Sequence, residues 1–190
     1  KHVESLNVEV VFDHIESTEL LKEPLILKGN NHIYECESLI IATGASAKYL
    51  GLSSEETYLG KGVSACATCD GFFYKDKKVA VVGGGNTAAE EALYLSNLCS
   101  SVVLIHRRDE LRSEKILQDR IFNKVKEGKI EILWDHTLEE VLGDDQKVTG
   151  INVKSVKTGD LNKVDLEGVF IAIGHNPNTE IFQDQLEMKD

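Results

Sequence analysis

The chain has 190 residues, with 21 Lys and Arg against 32 Asp and Glu, a net charge of −11, and 42% apolar and 28% charged residues. That acidity argues against nucleic-acid binding, which needs a basic face to neutralise phosphates, and the apolar content excludes a disordered chain. No apolar run approaches the roughly 18 residues of a membrane span, and 4 Cys in this length are no disulfide scaffold.

The chain begins at Lys1 and its only Met is Met188, so the expectation is a segment cut from a longer protein, with no secretory leader pattern. Asn7 to Phe12 alternates, with Val8, Val10 and Phe12 on one face, which predicts a half-buried strand. Leu25–Lys28 and His32–Cys36 flank Gly29-Asn30-Asn31, and the Gly and Asn suggest a hairpin turn at positive φ. Leu39-Ile40-Ile41-Ala42 is a continuous apolar run ending at Thr43-Gly44, which predicts a central strand covered on both faces. Residues 45–64 are rich in Gly and Ser and read as a linker.

Val79–Val82 reads as a strand that ends in Gly83-Gly84-Gly85-Asn86-Thr87-Ala88, followed by a helix running to Leu98. Ser101–Ile105 is a second strand, closed by His106-Arg107-Arg108. Leu117, Ile121 and Val125 recur every four residues, so 111–127 reads as an amphipathic helix stopped by Gly128. Ile130, Ile132 and Trp134 mark another strand. Residues 138–166 read as an antiparallel meander with turns at 143–145 and 158–160, and Val169–Ile173 as a last strand ending at Gly174-His175. Strand–glycine turn–helix–strand order is that of an α/β, doubly wound, Rossmann-like three-layer fold, here with the meander inserted.

The glycine turn is the first candidate site. A pyrophosphate needs backbone N–H donors at a helix N-terminus, approached so closely that any Cβ would intrude. Gly83-x-Gly85-x-x-Ala88 meets that need, between a strand and a helix. The end of the next strand chooses the nucleotide: a carboxylate there suits NADH, an arginine the 2′-phosphate of NADPH. Arg107 and Arg108 lie 24 and 25 positions after Gly83, with Arg112 close by. A planar guanidinium grips phosphate in paired hydrogen bonds, so the reading is NADPH. The plain alternative is a solvated loop with Asp109 and Glu110 as partners. His106 and His175 stand at strand ends, where such folds bind ligands.

Cys66-Ala67-Thr68-Cys69 is the second candidate site. This spacing can close a reducible disulfide. It is also half a zinc site, but no second Cys pair or spaced His pair completes it, so no metal is expected. A purely structural pair stays open. Asp70 follows directly, either as a general acid for a leaving thiolate or as an exposed turn residue. Cys36 and Cys99 read as packed thiols. A nicotinamide site and a Cys pair together suggest electron transfer to a disulfide, with a flavin as intermediary.

Five stretches carry a resemblance: residues 40–45, 64–73, 83–88, 106–109 and 171–179. In order and in residue type they resemble the low-molecular-weight thioredoxin reductases of bacteria, and Cys-Ala-Thr-Cys-Asp-Gly-Phe-Phe at 66–73 is the most specific part. The resemblance implies an NADPH-binding domain, about 47–174, inserted in an FAD-binding domain whose parts here are 1–46 and 175–190. It implies electron flow from NADPH through FAD to a Cys66–Cys69 disulfide and on to thioredoxin. By the same resemblance Cys66 attacks thioredoxin, Cys69 faces the flavin and Asp70 donates the proton. Gly83, Gly85, Asn86, Thr87, Glu90, His106, Arg107, Arg108 and Arg112 would bind NADPH. A cytoplasmic homodimer is also implied. Both FAD fingerprints of that family are absent from this sequence, so the segment alone is expected to bind FAD weakly or not at all. The alternatives are a flavoprotein reductase of a peroxiredoxin and an NADPH-binding module with no disulfide chemistry.

Overall fold

A computed structural model describes residues 4–188. The chain forms two compact units, one of residues 1–46 and 177–190, the other of residues 47–176.

In the first unit, strands β1 (Ile15–Glu19), β2 (Leu25–Gly29) and β3 (Ile33–Cys36) make an antiparallel sheet in that order. The β2–β3 turn is not built on positive φ at Gly29-Asn30-Asn31, as the Gly and Asn suggested. Asp13 holds it from outside instead. Its carboxylate accepts the Asn31 and His32 N–H groups, the Asn31 side-chain amide at 3.1 Å and the Tyr34 hydroxyl at 2.7 Å. Residues 7–12 and 39–42 lie outside any strand, against expectation. Val8, Val10, Phe12 and Ile40 are exposed. Alternation marks a stretch that can pair, but pairing needs a strand beside it, and none among the described residues takes these two up.

Strand β4 (Ala45–Ala47) pairs with β13 (His175–Pro177). The stretch 45–64, expected as a linker, also contains helix α1 (Ser53–Tyr58) and strand β5 (Val63–Ser64). The signal was hidden in one side chain. Glu55 is buried because its carboxylate accepts the Leu50 and Leu52 N–H groups ahead of α1, at 3.2 and 3.0 Å.

The second unit continues with α2 (Ala67–Asp70), β6 (Lys78–Val82), α3 (Asn86–Ser96), β7 (Ser101–His106), α4 (Lys115–Lys126) and β8 (Ile130–Trp134). Then come β9 (His136–Gly143), β10 (Val148–Ser155), β11 (Leu161–Asp165) and β12 (Gly168–Ile171). Five strands form a parallel sheet in the order β5-β12-β6-β7-β8. Val79, Val81, Val102 and Leu104 pack on α3 and α4, while Ala80, Val82, Val103 and Ile105 pack on the meander β9–β10–β11. Burial on both faces is why these strands are runs of apolar residues without alternation. The layers are helices, parallel sheet and antiparallel meander, the Rossmann-like α/β class read from the sequence. Helix α4 starts at Lys115 rather than at 111, because residues 107–114 are tied to the glycine turn. Gly128, at φ +70°, ends it as expected.

Candidate functional site

The turn between β6 and α3 lies over the C-terminal ends of the parallel strands. A Cβ on Gly83 would sit 2.3 Å from the Ala172 carbonyl oxygen and 2.8 Å from the Ala88 methyl, at φ +151°. Only glycine passes there, and Ala88 must be small. A Cβ on Gly85 would meet nothing within 4 Å, since that face opens onto a cleft of about 570 Å³. Gly83–Gly85, Thr87, His106, Arg107, Arg112, Ala172 and Gly174 are among the residues lining it. This is a cradle that a Cβ at Gly85 would begin to fill, at the start of an 11-residue helix. It fits the pyrophosphate of a dinucleotide.

Of the nine residues expected to bind nucleotide, the cleft gathers Gly83, Gly85, Thr87, His106, Arg107 and Arg112. Asn86, Glu90 and Arg108 are not among its lining residues. Among the described residues no carboxylate lies within ion-pair distance of Arg107, Arg108 or Arg112, so Asp109 and Glu110 are not their partners. All three arginines are exposed. His106 is buried, with Nε2 2.9 Å from the Glu110 carbonyl and its ring edge-on to Trp134. A carbonyl can only accept, so Nε2 carries the hydrogen. Burial first, and the three nearby arginines after it, hold the imidazole below its ordinary pKa; the Glu110 bond opposes them.

Cys66 and Cys69 form a disulfide with their Cα atoms 5.3 Å apart. Cys66 is the N-cap of α2, half-buried, and Cys69 is exposed on its last turn. Asp70 is half-buried, and its carboxylate accepts the Ser64 hydroxyl at 2.6 Å. The same hydroxyl oxygen accepts the Cys66 N–H at 3.1 Å. Ser64, from the end of β5, thus ties the proposed proton donor to the backbone of the disulfide turn. Phe72 and Phe73 follow, both exposed, with ring centroids 6.5 Å apart.

The sequence reading missed Ser64 and Glu91. Glu91, in the second turn of α3, brings Oε1 within 3.4 Å of the Ala67 N–H, directly after Cys66. Its other oxygen is buried without a hydrogen-bond partner among the described residues. Burial raises the Glu91 carboxyl above its ordinary pKa, and the Ala67 N–H and His175 oppose that shift. Helical spacing held the signal: Ala88, Glu91, Ala92 and Leu95 share the face of α3 that turns inward. The same helix therefore begins at the glycine cleft and reaches the disulfide. His175 is exposed at the start of β13. Cys36 is half-buried, and burial, with Asp76 nearby, pushes the Cys99 thiol up to about 11, which leaves it inert.

Comparison with known proteins places this geometry. Residues 1–190 match the family described as pyridine nucleotide-disulphide oxidoreductase. All 190 residues are 62% identical to 59% of the length of a Coxiella burnetii protein named thioredoxin reductase. They are 56% identical to 59% of a Pseudomonas fluorescens protein named glucosaminate ammonia-lyase. Among solved structures, Lactococcus lactis thioredoxin reductase in its FR conformation superposes with a TM-score of 0.85 at 38% identity, over 97% of this chain and 60% of that one. The chain spans about 60% of the length of the curated relatives it matches.

Proposed function

The chain belongs to the pyridine nucleotide-disulphide oxidoreductase family, and from that premise we propose that it is the nucleotide- and disulfide-bearing part of a thioredoxin-disulfide reductase. One observation carries the reading: a Cys66–Cys69 disulfide and a glycine cleft edged by unpaired arginines lie in the same unit. In this reading residues 47–174 are the NADPH domain, and 1–46 with 175–190 are parts of an FAD domain. The protein is a cytoplasmic homodimer on the family resemblance.

Gly83, Gly85 and Thr87 would hold the pyrophosphate through main-chain N–H groups, and Arg107 and Arg112 the 2′-phosphate. NADPH supplies a hydride, hence two electrons, and FAD relays them in the family. When bound, FAD would supply the electrons that reduce the Cys66–Cys69 disulfide.

Two electrons and two protons convert Cys66–Cys69 to two thiols. A Cys66 thiolate attacks one sulfur of the thioredoxin disulfide, forming a mixed disulfide and expelling a thiolate. Cys69, deprotonated, attacks Cys66 Sγ, re-forms the internal disulfide and releases dithiol thioredoxin. Asp70, oriented by Ser64, would carry the proton to or from the leaving thiolate. The exposed Phe72–Phe73 pair suits a protein substrate rather than a small disulfide. An ammonia-lyase has no use for a dithiol, so the Cys pair favours the reductase name among the relatives. It likewise disfavours a binding module without disulfide chemistry.

The test is NADPH-driven reduction of thioredoxin by the full-length protein. Cys66→Ser and Cys69→Ser should each abolish turnover while leaving NADPH affinity unchanged. Thioredoxin reduction by both variants at the parent rate would end the proposal. A parent that reduces a peroxiredoxin disulfide but not thioredoxin would favour the other reductase.

A further inference from the structure

The segment between His106 and α4 has no regular structure, yet it is fixed. The Arg112 N–H donates to the Gly84 carbonyl at 2.7 Å, and the Glu114 N–H to Asn86 Oδ1 at 2.8 Å. Within the segment, His106 Nε2 bonds the Glu110 carbonyl, and the Gln118 side-chain amide bonds the Leu111 and Ser113 carbonyls at 3.2 and 2.7 Å. At Gly84 an added Cβ would lie 2.1 to 2.7 Å from three atoms of the His106 ring. That ring is buried, so it cannot swing aside. The turn that would hold pyrophosphate and the segment that carries the arginines are thus pressed together and bonded at two points.

We propose that Asn86 and His106 act as positioning residues for Arg112 rather than as nucleotide ligands, and that the Asn86–Glu114 bond sets the preference for a 2′-phosphate. This rests on the NADPH reading above. The reasoning is geometric. Asn86 is the first residue of α3, and its side chain is spent on a backbone N–H of the opposite segment. Among the described residues the guanidinium of Arg112 has no carboxylate partner to orient it, so its place over the cleft depends on where residues 112–114 are tied down. A charge-assisted grip on phosphate is lost when the donor can wander. NADH makes no demand on that arginine. The sharing of one anchor also explains why Gly84, a position the nucleotide fingerprint leaves open, is glycine.

The experiment measures dissociation constants of NADPH and NADH on the oxidised full-length protein, with adenosine 2′,5′-bisphosphate and AMP as shorter probes. Asn86→Ala should weaken NADPH and the bisphosphate about tenfold, the worth of one charged hydrogen bond, with NADH and AMP changed less than about twofold. Asn86→Asp keeps the acceptor for the Glu114 N–H, so it should keep the NADPH-to-NADH ratio even where its charge weakens both. Equal weakening of NADPH and NADH by Asn86→Ala would make Asn86 a direct ligand of the shared part and overturn the proposal. No change in either would overturn it too. A wild type that binds NADH as tightly as NADPH would refute the NADPH reading itself, whatever the variants do.

Discussion

The two units spend similar apolar sequence in opposite ways. In residues 47–176 every apolar side chain of the central strands is covered, on one face by helices and on the other by the meander. In residues 1–46 the same kind of sequence finds no paired strand beside it among the described residues, and Phe12 and Ile40 are each 92% exposed in this chain. The difference lies in neighbours, not in composition. A parallel strand flanked by two others finds its hydrogen bonds and its cover together, and Val79–Val82 sits between β12 and β7. Leu39–Ala42 has the same apolar run and, among the described residues, neither flank.

The largest expected effect tests that contrast directly. Phe170 is fully buried in β12, with its ring edge-on to Tyr74 at 5.5 Å. Phe170→Ala should cost about 3–5 kcal/mol in denaturant unfolding, from lost transfer energy and the cavity left behind. Ile40→Ala in the same chain should stay within about 0.5 kcal/mol, as exposed substitutions do. A comparable loss for Ile40→Ala would mean that this residue is covered in solution and that the contrast between units is false.

A smaller effect divides two glycines two positions apart in one turn. Gly83→Ala meets the Ala172 carbonyl and the Ala88 methyl, at a φ that disfavours any side chain. It should cost about 1–3 kcal/mol of stability, as overpacking does, and weaken nucleotide binding with it. Gly85→Ala meets nothing, so unfolding should be unchanged and only NADPH affinity should fall. If both destabilise equally, Gly85 does not face an open cleft and the pyrophosphate cradle is misplaced.

What the sequence disclosed follows the same division. Residues 78–106 were readable because period, glycine turn and helix pattern agree locally, and the structure moves their ends by only a residue or two. The site-forming motifs were readable for the same reason: Gly83-x-Gly85 and Cys66-x-x-Cys69 are short, and their geometry is set by the backbone that carries them. Ser64, Glu91 and the Asn86–Glu114 bond were not readable. Spacing along α3 puts Glu91 on its inward face, but its partner, like those of Ser64 and Asn86, is brought near only by folding, up to 28 positions away in the chain. Helix α1 was hidden likewise, because Glu55 looks like any surface carboxylate until its two N–H donors are known. In the first unit the strands read at Asn7–Phe12 and Leu39–Ala42 do not form, because among the described residues no strand lies beside them to pair.

The smallest effect belongs to the first unit and to one carboxylate. Asp13 holds the β2–β3 turn, and the Tyr34 hydroxyl above all, then the Asn31, His14 and His32 N–H groups, hold its pKa down at about 2. A carboxylate depressed on folding binds fewer protons folded than unfolded. Its contribution is therefore full above the unfolded value near 3.8 and is lost as pH falls through about 2. The Tyr34 hydroxyl, whose own pKa Asp13 raises, is the natural reporter. In an acid titration the Tyr34 ring signal should shift between about pH 4 and pH 2, while signals of the sheet in residues 47–176 do not follow that group. Asp13→Asn keeps one acceptor oxygen but no charge, so the ring shift should vanish and the turn should loosen at neutral pH. A ring shift that persists in Asp13→Asn would assign the titration to another group, and the turn would then owe its form to the chain alone.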